Sequence, residues 1–379
     1  MKTILVVTTS YFPFMGGGEV GVKRLLKGIR ANLGDCELCI LTPKFHPSHP
    51  AFELEDGVKI LRYNSCLLRY PSRLFPDAFN LIVHMFYGLV FMGRYIKQIS
   101  PDFVLINFLL PSAFPASYHL NRHNIPALLF LAGNDIHNAN WLIKRANSYV
   151  FKHVKGIITA SDFVRKTIQT AYAKNGLNIE VVPYGLDLAE YRCGPKPSRQ
   201  QIKILCVQRL VKIKGTEYLI KALAQLASEG VSNFVVDIVG DGEERDDLER
   251  LAEILGVKTK VSFHGNIEND RVKAFYEDSD LFVLPTLTEP FGIVLLEAMA
   301  TNNIIIASRC GAIPEIITHE RTGILCEPGN VHELSSTLRS VLTNIQQFKP
   351  LAANAQRDVA KYDQALIAKR IVDRMLSMA

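Results

Sequence analysis

Leu281–Ala300 reads LFVLPTLTEPFGIVLLEAMA, and its three parts decide the architecture. The opening LFVLP is a short apolar run closed by a proline, which is how a buried strand reads. The loop TLTEPFG follows, and after Gly292 come the strong helix formers of IVLLEAMA. Pro290 has no N–H and disfavours helical geometry at Glu289, so the helix is expected to begin near Phe291 or Gly292. A strand feeding a helix through a short loop is one βα unit of a parallel sheet.

The same alternation runs along the chain. In the first half the strands read TILVVTT, CELCILT, DFVLINF, ALLFLA, GIITA and IEVVP. Helical spacing lies between most of them. Glu19–Leu33 carries apolar residues at Val22, Leu25, Leu26 and Ile29, and ASDFVRKTIQTAYA has Ser161 in place to cap a helix. Proline, glycine and polar residues in VVPYGLDLAEYRCGPKPSRQQ then suggest a linker rather than core. The pattern restarts with KILCVQ, FVVDIVG, KVSFHG, LFVLP, NIIIAS and GILCEP. Two parallel-sheet domains in tandem are expected, over 1–185 and 186–359, the size expected for cores of about 150–200 residues. The final stretch, Leu351–Ala379, is helical by pattern and must pack somewhere.

Composition narrows the classes. Of 379 residues, 48% are hydrophobic and 21% charged, so both halves can fold. Net charge is +6, divided as +9 over residues 1–185 and −3 over 186–379. The basic half suits an anionic substrate or an acidic membrane surface, and no nucleic-acid motif accompanies it. The apolar run at the N-terminus is too short for a signal peptide, which points to a cytoplasmic location. FNLIVHMFYGLVFMG, Phe79–Gly93, is shorter than the roughly 20 residues of a membrane span. Flanked by Arg69, Arg73, Arg94 and Lys97, it reads as a buried helix or one that touches a membrane surface. Cys36 and Cys39 fall in a strand, with no second pair to complete a zinc site.

In a parallel sheet the loops after each strand carry the chemistry. Free N–H groups at the helix start near Gly292 favour an anion, and Gly292 lets a ligand approach the backbone. Glu289 and Glu297 would repel a phosphate they touched, so hydroxyls are assigned to them. CVQRLVKIKG places Arg209 just after a strand and Lys214 before Gly215, as charge-assisted donors for a diphosphate. Phosphate and hydroxyls together describe a sugar nucleotide. Gly16, Gly17 and Gly18 precede a helix in another strand, turn and helix, but they lack the dinucleotide-binding spacing. VGDGEERDD has Arg245 where a third glycine would stand, which disfavours a nicotinamide dehydrogenase. Asp278-Ser279-Asp280 precedes a strand rather than following one, so metal is not expected there.

Taken in order, the turn at Gly16–Gly18, SDFVR at Ser161, VPYGLD at Val182, RLVKIKG at Arg209, VGDG at Val239, FHGNI at Phe263 and the pair Glu289 to Glu297 resemble the retaining glycosyltransferases of family 4. The resemblance implies the GT-B fold: two facing Rossmann-like domains with a cleft between them, and a last helix, about 360–379, that crosses back to the first domain. It implies that Arg209 and Lys214 bind the donor diphosphate and that the backbone of Phe291, Gly292 and Ile293 meets phosphate and sugar. Glu289 would contact sugar hydroxyls, Glu297 the ribose, and Gly265–Ile267 the base. Gly16 and Gly17 would close on the phosphate from the first domain, with Gly133 and Asp135 on the acceptor side. LAGNDIH departs from the family, since Ala132 stands where a histidine is usual. No histidine is named catalytic; Glu289, Arg209 and Lys214 are the candidates. In enzymes of this kind the leaving phosphate takes the acceptor's proton, so neither cofactor nor metal is implied.

The function expected is transfer of a sugar from a nucleotide donor, with retention, to a saccharide or lipid-linked acceptor in cell-surface polysaccharide or glycolipid synthesis. The alternatives are a nucleotide-sugar epimerase of the same fold and a binding protein without turnover. A peripheral position on the inner face of a membrane is the further expectation for the basic first half.

Overall fold

The computed structural model describes residues 2–9, 11, 17–44, 46, 48–64, 77–109, 112–131, 141–172, 176–191, 193–194, 196, 199 and 201–378, with the side chains of 17–20, 77–81 and 269–270 left aside. The chain forms two compact units, Met1–Gly185 with Gln364–Ala379, and Leu186–Asp363.

The first unit contains β1 (Lys2–Thr8), α1 (Gly17–Leu33), β2 (Cys36–Lys44), β3 (Phe52–Glu55), β4 (Val58–Asn64), α2 (Asp77–Ile99) and β5 (Phe103–Asn107). It continues with α3 (Ala113–Arg122), β6 (Ala127–Leu131), α4 (Trp141–His153), β7 (Gly156–Thr159), α5 (Asp162–Ala171) and β8 (Ile179–Val181). The sheet runs β3-β4-β2-β1-β5-β6-β7-β8, with β1 near the middle, parallel to β2 and β5. Ile4, Leu5, Val6 and Val7 are fully buried, as a strand covered on both faces requires. Ser161 caps α5, its Oγ accepting from the Val164 N–H at 3.3 Å.

The antiparallel β3–β4 hairpin is absent from the strands expected from sequence. Asp56 and Gly57 have φ of 49° and 75°, the paired left-handed geometry of a tight hairpin turn. Asp-Gly between FELE and VKILRYN carries that signal.

The second unit contains β9 (Ile202–Val207), a 3-10 turn at Lys212–Lys214, α6 (Thr216–Ser228), β10 (Phe234–Val239), α7 (Arg245–Ile254), β11 (Val261–Phe263) and α8 (Asn269–Asp278). Then come β12 (Leu281–Leu284), α9 (Ile293–Ala300), β13 (Ile304–Ser308), α10 (Ile313–Ile316), β14 (Ile324–Cys326), α11 (Val331–Thr343) and α12 (Ile345–Asp358). Its strands are all parallel, in the order β11-β10-β9-β12-β13-β14. The order reverses between β9 and β12, so the loops after these two strands flank a topological switch point, where such sheets bind ligands.

The last helix, α13 (Gln364–Leu376), belongs to the first unit and lies against α1. A Cβ on Gly28 would come within 2.4 Å of the Ala368 Cβ, so glycine is what lets the two helices approach this closely. Arg370 adds a bond from Nη2 to the Val181 carbonyl at 3.0 Å.

Candidate functional site

The loops after β9 and β12 are fastened to each other. Gln208, just beyond β9, donates from Nε2 to the Lys214 carbonyl and to Thr216 Oγ1, each at 2.9 Å. From the other side the Leu287 N–H and Thr286 Oγ1 donate to the Ile213 carbonyl at 2.9 and 3.2 Å. Gly215, at φ 64°, allows the contact: a Cβ there would lie 2.4 Å from the Pro285 carbonyl oxygen. The 3-10 turn is thereby clamped between two strand ends, and Lys214 is aimed at the β12–α9 loop.

There Lys214 Nζ meets Glu289 Oε2 at 2.7 Å, with both side chains largely buried. The lysine read from sequence for phosphate and the carboxylate read for hydroxyls are therefore in direct contact. The closeness of the two loops makes them an ion pair, so Glu289's charge is already compensated beside any anion. The Phe291 N–H, read from sequence as meeting phosphate and sugar, leans on Glu289 Oε1 at 3.4 Å. Glu289 is also held through its backbone, its carbonyl accepting from the Ala312 N–H at 2.9 Å. Gly311 presses on that carbonyl, where a Cβ would fall at 2.1 Å.

Gly292 is the N-cap of α9, in left-handed geometry at φ 90° and ψ 62°, which confirms the expected helix start. The amides that follow, at Ile293 and Val294, have no acceptor within the helix and carry its positive end. Arg209 is the contrasting cation: it is exposed, and its guanidinium makes no hydrogen bond or ion pair among the described residues. The loops after β9 and β12 thus carry a preformed pair, an exposed guanidinium and a helix start, groups able to bind an anion. Cys310 lies close by, its Sγ 3.4 Å from the Thr286 carbonyl. Burial, and after it the Glu289 charge, push its thiol up to about 12 against the opposing influence of Lys214.

The glycines of VGDG are packing residues. A Cβ on Gly240 would fall 2.0 Å from the Gln208 carbonyl oxygen, and one on Gly242 2.3 Å from that of Leu210. They let the β10 loop support the β9 loop, which the Leu210 N–H secures by donating to the Asp241 carbonyl at 2.9 Å. Gly240 also donates to the Gly265 carbonyl at 2.8 Å. Gly265 lies against Arg245, which Asp241 and Glu249 hold at 3.1 and 2.9 Å. Ile267, half-buried, continues that loop.

Glu297 lies inside α9, and its Oε1 accepts from the Tyr191 hydroxyl at 3.1 Å. The segment after Gly185, read from its composition as a linker rather than core, thus contributes buried residues to the second unit. Leu186 and Tyr191 are buried, Cys193 Sγ donates to the Thr301 carbonyl, and Lys196 Nζ donates to the Tyr276 and Glu277 carbonyls. Asp278 is bonded by Arg199 and Lys203, and Asp280 accepts from the Lys203 N–H, so both carboxylates are engaged at the start of the sheet. Gly17 is the first residue of α1; Gly16, Ala132, Gly133 and Asp135 lie outside the described residues. Gln208, Tyr191 and Gly311 were not singled out by the sequence reading, and Gly215 was named there only as the neighbour of Lys214.

Residues 15–190 match the family described as Glycosyltransferase Family 4, and residues 190–358 match Glycosyl transferases group 1. An uncharacterized glycosyltransferase of Haemophilus influenzae is 35% identical over 300 residues, covering 79% of this chain and 80% of that protein. The chain belongs to glycosyltransferase family 4. This glycosyltransferase is also similar to the GDP-mannose-dependent alpha-(1-6)-phosphatidylinositol monomannoside mannosyltransferase of Mycobacterium tuberculosis, at 25% identity over 98% of each chain. In fold it is similar to sucrose-phosphate synthase of Thermosynechococcus elongatus, with a TM-score of 0.83 and 18% identity over 100% of this chain and 99% of the other. Its two parallel-sheet domains are those of the GT-B class.

Proposed function

We propose that this glycosyltransferase takes a sugar from a nucleotide-sugar donor held in its second unit and passes it, with retention, to a saccharide or lipid-linked acceptor. One observation carries the reading: Arg209, the Lys214–Glu289 pair and the start of α9 are gathered at the β9 and β12 strand ends. Donor diphosphate lies against Arg209, Lys214 and the amides beyond Gly292. Glu289 takes sugar hydroxyls, Glu297 the ribose, and the Gly265–Ile267 loop the base. The bond from the sugar's anomeric carbon to the diphosphate breaks while the acceptor oxygen bonds to that carbon on the same face. The acceptor's proton passes to the departing phosphate oxygen. The protein's part is positioning and stabilising the charge that develops on the leaving group, with no metal or cofactor needed. On the family resemblance, Gly16 and Gly17 are assigned to phosphate and Gly133 and Asp135 to the acceptor. The GDP-mannose dependence of the mycobacterial relative supports a sugar-nucleotide donor, and its phosphatidylinositol-linked substrate supports a lipid-linked acceptor in glycolipid or polysaccharide synthesis.

A second observation bears on where the acceptor is met. Along α2, Ile82, Phe86 and Val90 are exposed at four-residue spacing, and Arg94 and Lys97 are exposed beyond them. This favours peripheral contact with an anionic membrane face. Among the described residues no helix is long and apolar enough to cross a membrane.

The test is a panel of nucleotide sugars with saccharide and lipid acceptors in the presence of a chelator, the product's anomeric configuration being read by proton NMR. A retained configuration supports the proposal. Inversion, a need for metal, or epimer formed from donor alone contradicts it. Liposome flotation at low and high salt tests the membrane contact, which equal recovery with neutral and anionic lipid would refute.

A further inference from the structure

We infer that Tyr191 is a positioning residue for donor binding, acting through Glu297 to set how tightly the ribose hydroxyls are recognised. The inference rests on the proposed assignment of Glu297 to the ribose. Glu297 is 8% exposed, set in α9 between the buried Leu296 and Ala298. A carboxylate so placed is costly unless donors satisfy it, and it can recognise a diol only if its plane is fixed. The Tyr191 hydroxyl, itself on a residue 5% exposed, supplies a donor to Oε1 at 3.1 Å. The tyrosine is held in place by its own segment, where the Glu190 N–H bonds to the Asp187 carbonyl at 3.1 Å and the Leu186 N–H to the Tyr362 carbonyl at 2.9 Å. Phenylalanine would fill the same volume, so the packing does not call for the hydroxyl. Its contribution is the bond to the carboxylate, and a hydrogen bond to a charged group is the stronger kind.

The experiment measures the affinity of the full chain for whichever of UDP, GDP and ADP the wild-type protein binds, beside the 2′-deoxy and 3′-deoxy forms of that nucleotide. The proteins compared are wild type, Tyr191→Phe, Glu297→Gln and the double variant. Tyr191→Phe is expected to weaken ribonucleotide binding by about tenfold and a deoxy form by less, so that discrimination narrows. With donor sugar, KM rises and kcat holds. Because both groups act on one contact, the double variant should bind no worse than Glu297→Gln. Unchanged discrimination in Tyr191→Phe, an equal loss for all nucleotides, or additive losses overturns the role of Tyr191 while leaving Glu297 assigned. Unchanged discrimination in Glu297→Gln overturns both assignments. Unaltered thermal unfolding of Tyr191→Phe separates positioning from a folding defect.

Discussion

The sharpest consequence of the geometry concerns Gly311, a residue that touches no proposed ligand. An alanine Cβ at this position would sit 2.1 Å from the Glu289 carbonyl oxygen, whereas real Cβ contacts essentially never fall under 3.0 Å. The carbonyl must therefore retreat by roughly 1 Å, stretching its bond to the Ala312 N–H and carrying the Glu289 side chain away from Lys214. A misplacement of about 1 Å at a reacting centre costs on the order of 100-fold in rate. Gly311 also has φ of +55°, so any effect of left-handed strain has to be separated from the displacement. Gly230 provides the control: its φ is +83°, and nothing lies within 4 Å of a Cβ built there. Both Gly311→Ala and Gly230→Ala should lose about 1 kcal/mol of stability to strain. Only Gly311→Ala should lose transfer, with kcat/KM down by about 100-fold and Gly230→Ala within about twofold of wild type. Steady-state kinetics with the donor identified by the panel decides the matter. Near-normal transfer by Gly311→Ala, or an equal loss in both variants, would show that the placement of Glu289 does not control the reaction.

At 2.7 Å the gross attraction of Lys214 and Glu289 is about 6 kcal/mol at an effective dielectric of 20, much of it offset by desolvation of the two charges, whereas removing one partner leaves the other charge uncompensated. Lys214→Met or Glu289→Gln should each reduce transfer by about 10–100-fold, and the double variant should be no worse than the poorer single; additive losses would contradict a shared function. With its thiol raised to about 12, Cys310 should react with iodoacetamide at pH 8 about 1,000-fold more slowly than an ordinary thiol of 9.0, gaining about tenfold per pH unit up to its pKa. Rapid labelling at pH 8, read by mass spectrometry, would refute that placement, while Glu289→Gln should accelerate labelling by removing a repelling charge. Ser161→Ala should cost about 1 kcal/mol at the start of α5. Hydrogen exchange of the first α5 amides should rise, and unchanged protection would deny the cap its contribution.

Strands buried on both faces were the legible part of the fold. β12 and β13, buried at every residue, lie within apolar runs recognisable in the sequence, because a parallel strand covered on both faces has no wet face on which to place polar residues. The β3–β4 hairpin escaped since it lies at a sheet edge with an exposed strand, where the apolar signal thins and only Asp-Gly marks it. In the site, the start of α9 was readable because Pro290 and Gly292 act locally through backbone geometry. The Lys214–Glu289 pair was not, for it joins residues 75 apart through a clamp that depends on Gln208 and Gly215. Tyr191 was hidden by the glycines and prolines around it, which mark turns but do not reveal where a tyrosine between them is buried.

The claim beneath all of this is that Arg209, Lys214 and the start of α9 grip a diphosphate. Calorimetric titration of the full chain and of Arg209→Ala, with a nucleoside and with its diphosphate, tests it directly. The wild-type protein should bind the diphosphate at least about 100-fold more tightly than the nucleoside, and Arg209→Ala should remove about tenfold or more of that advantage. Equal affinity for the two ligands in the wild-type protein would contradict it.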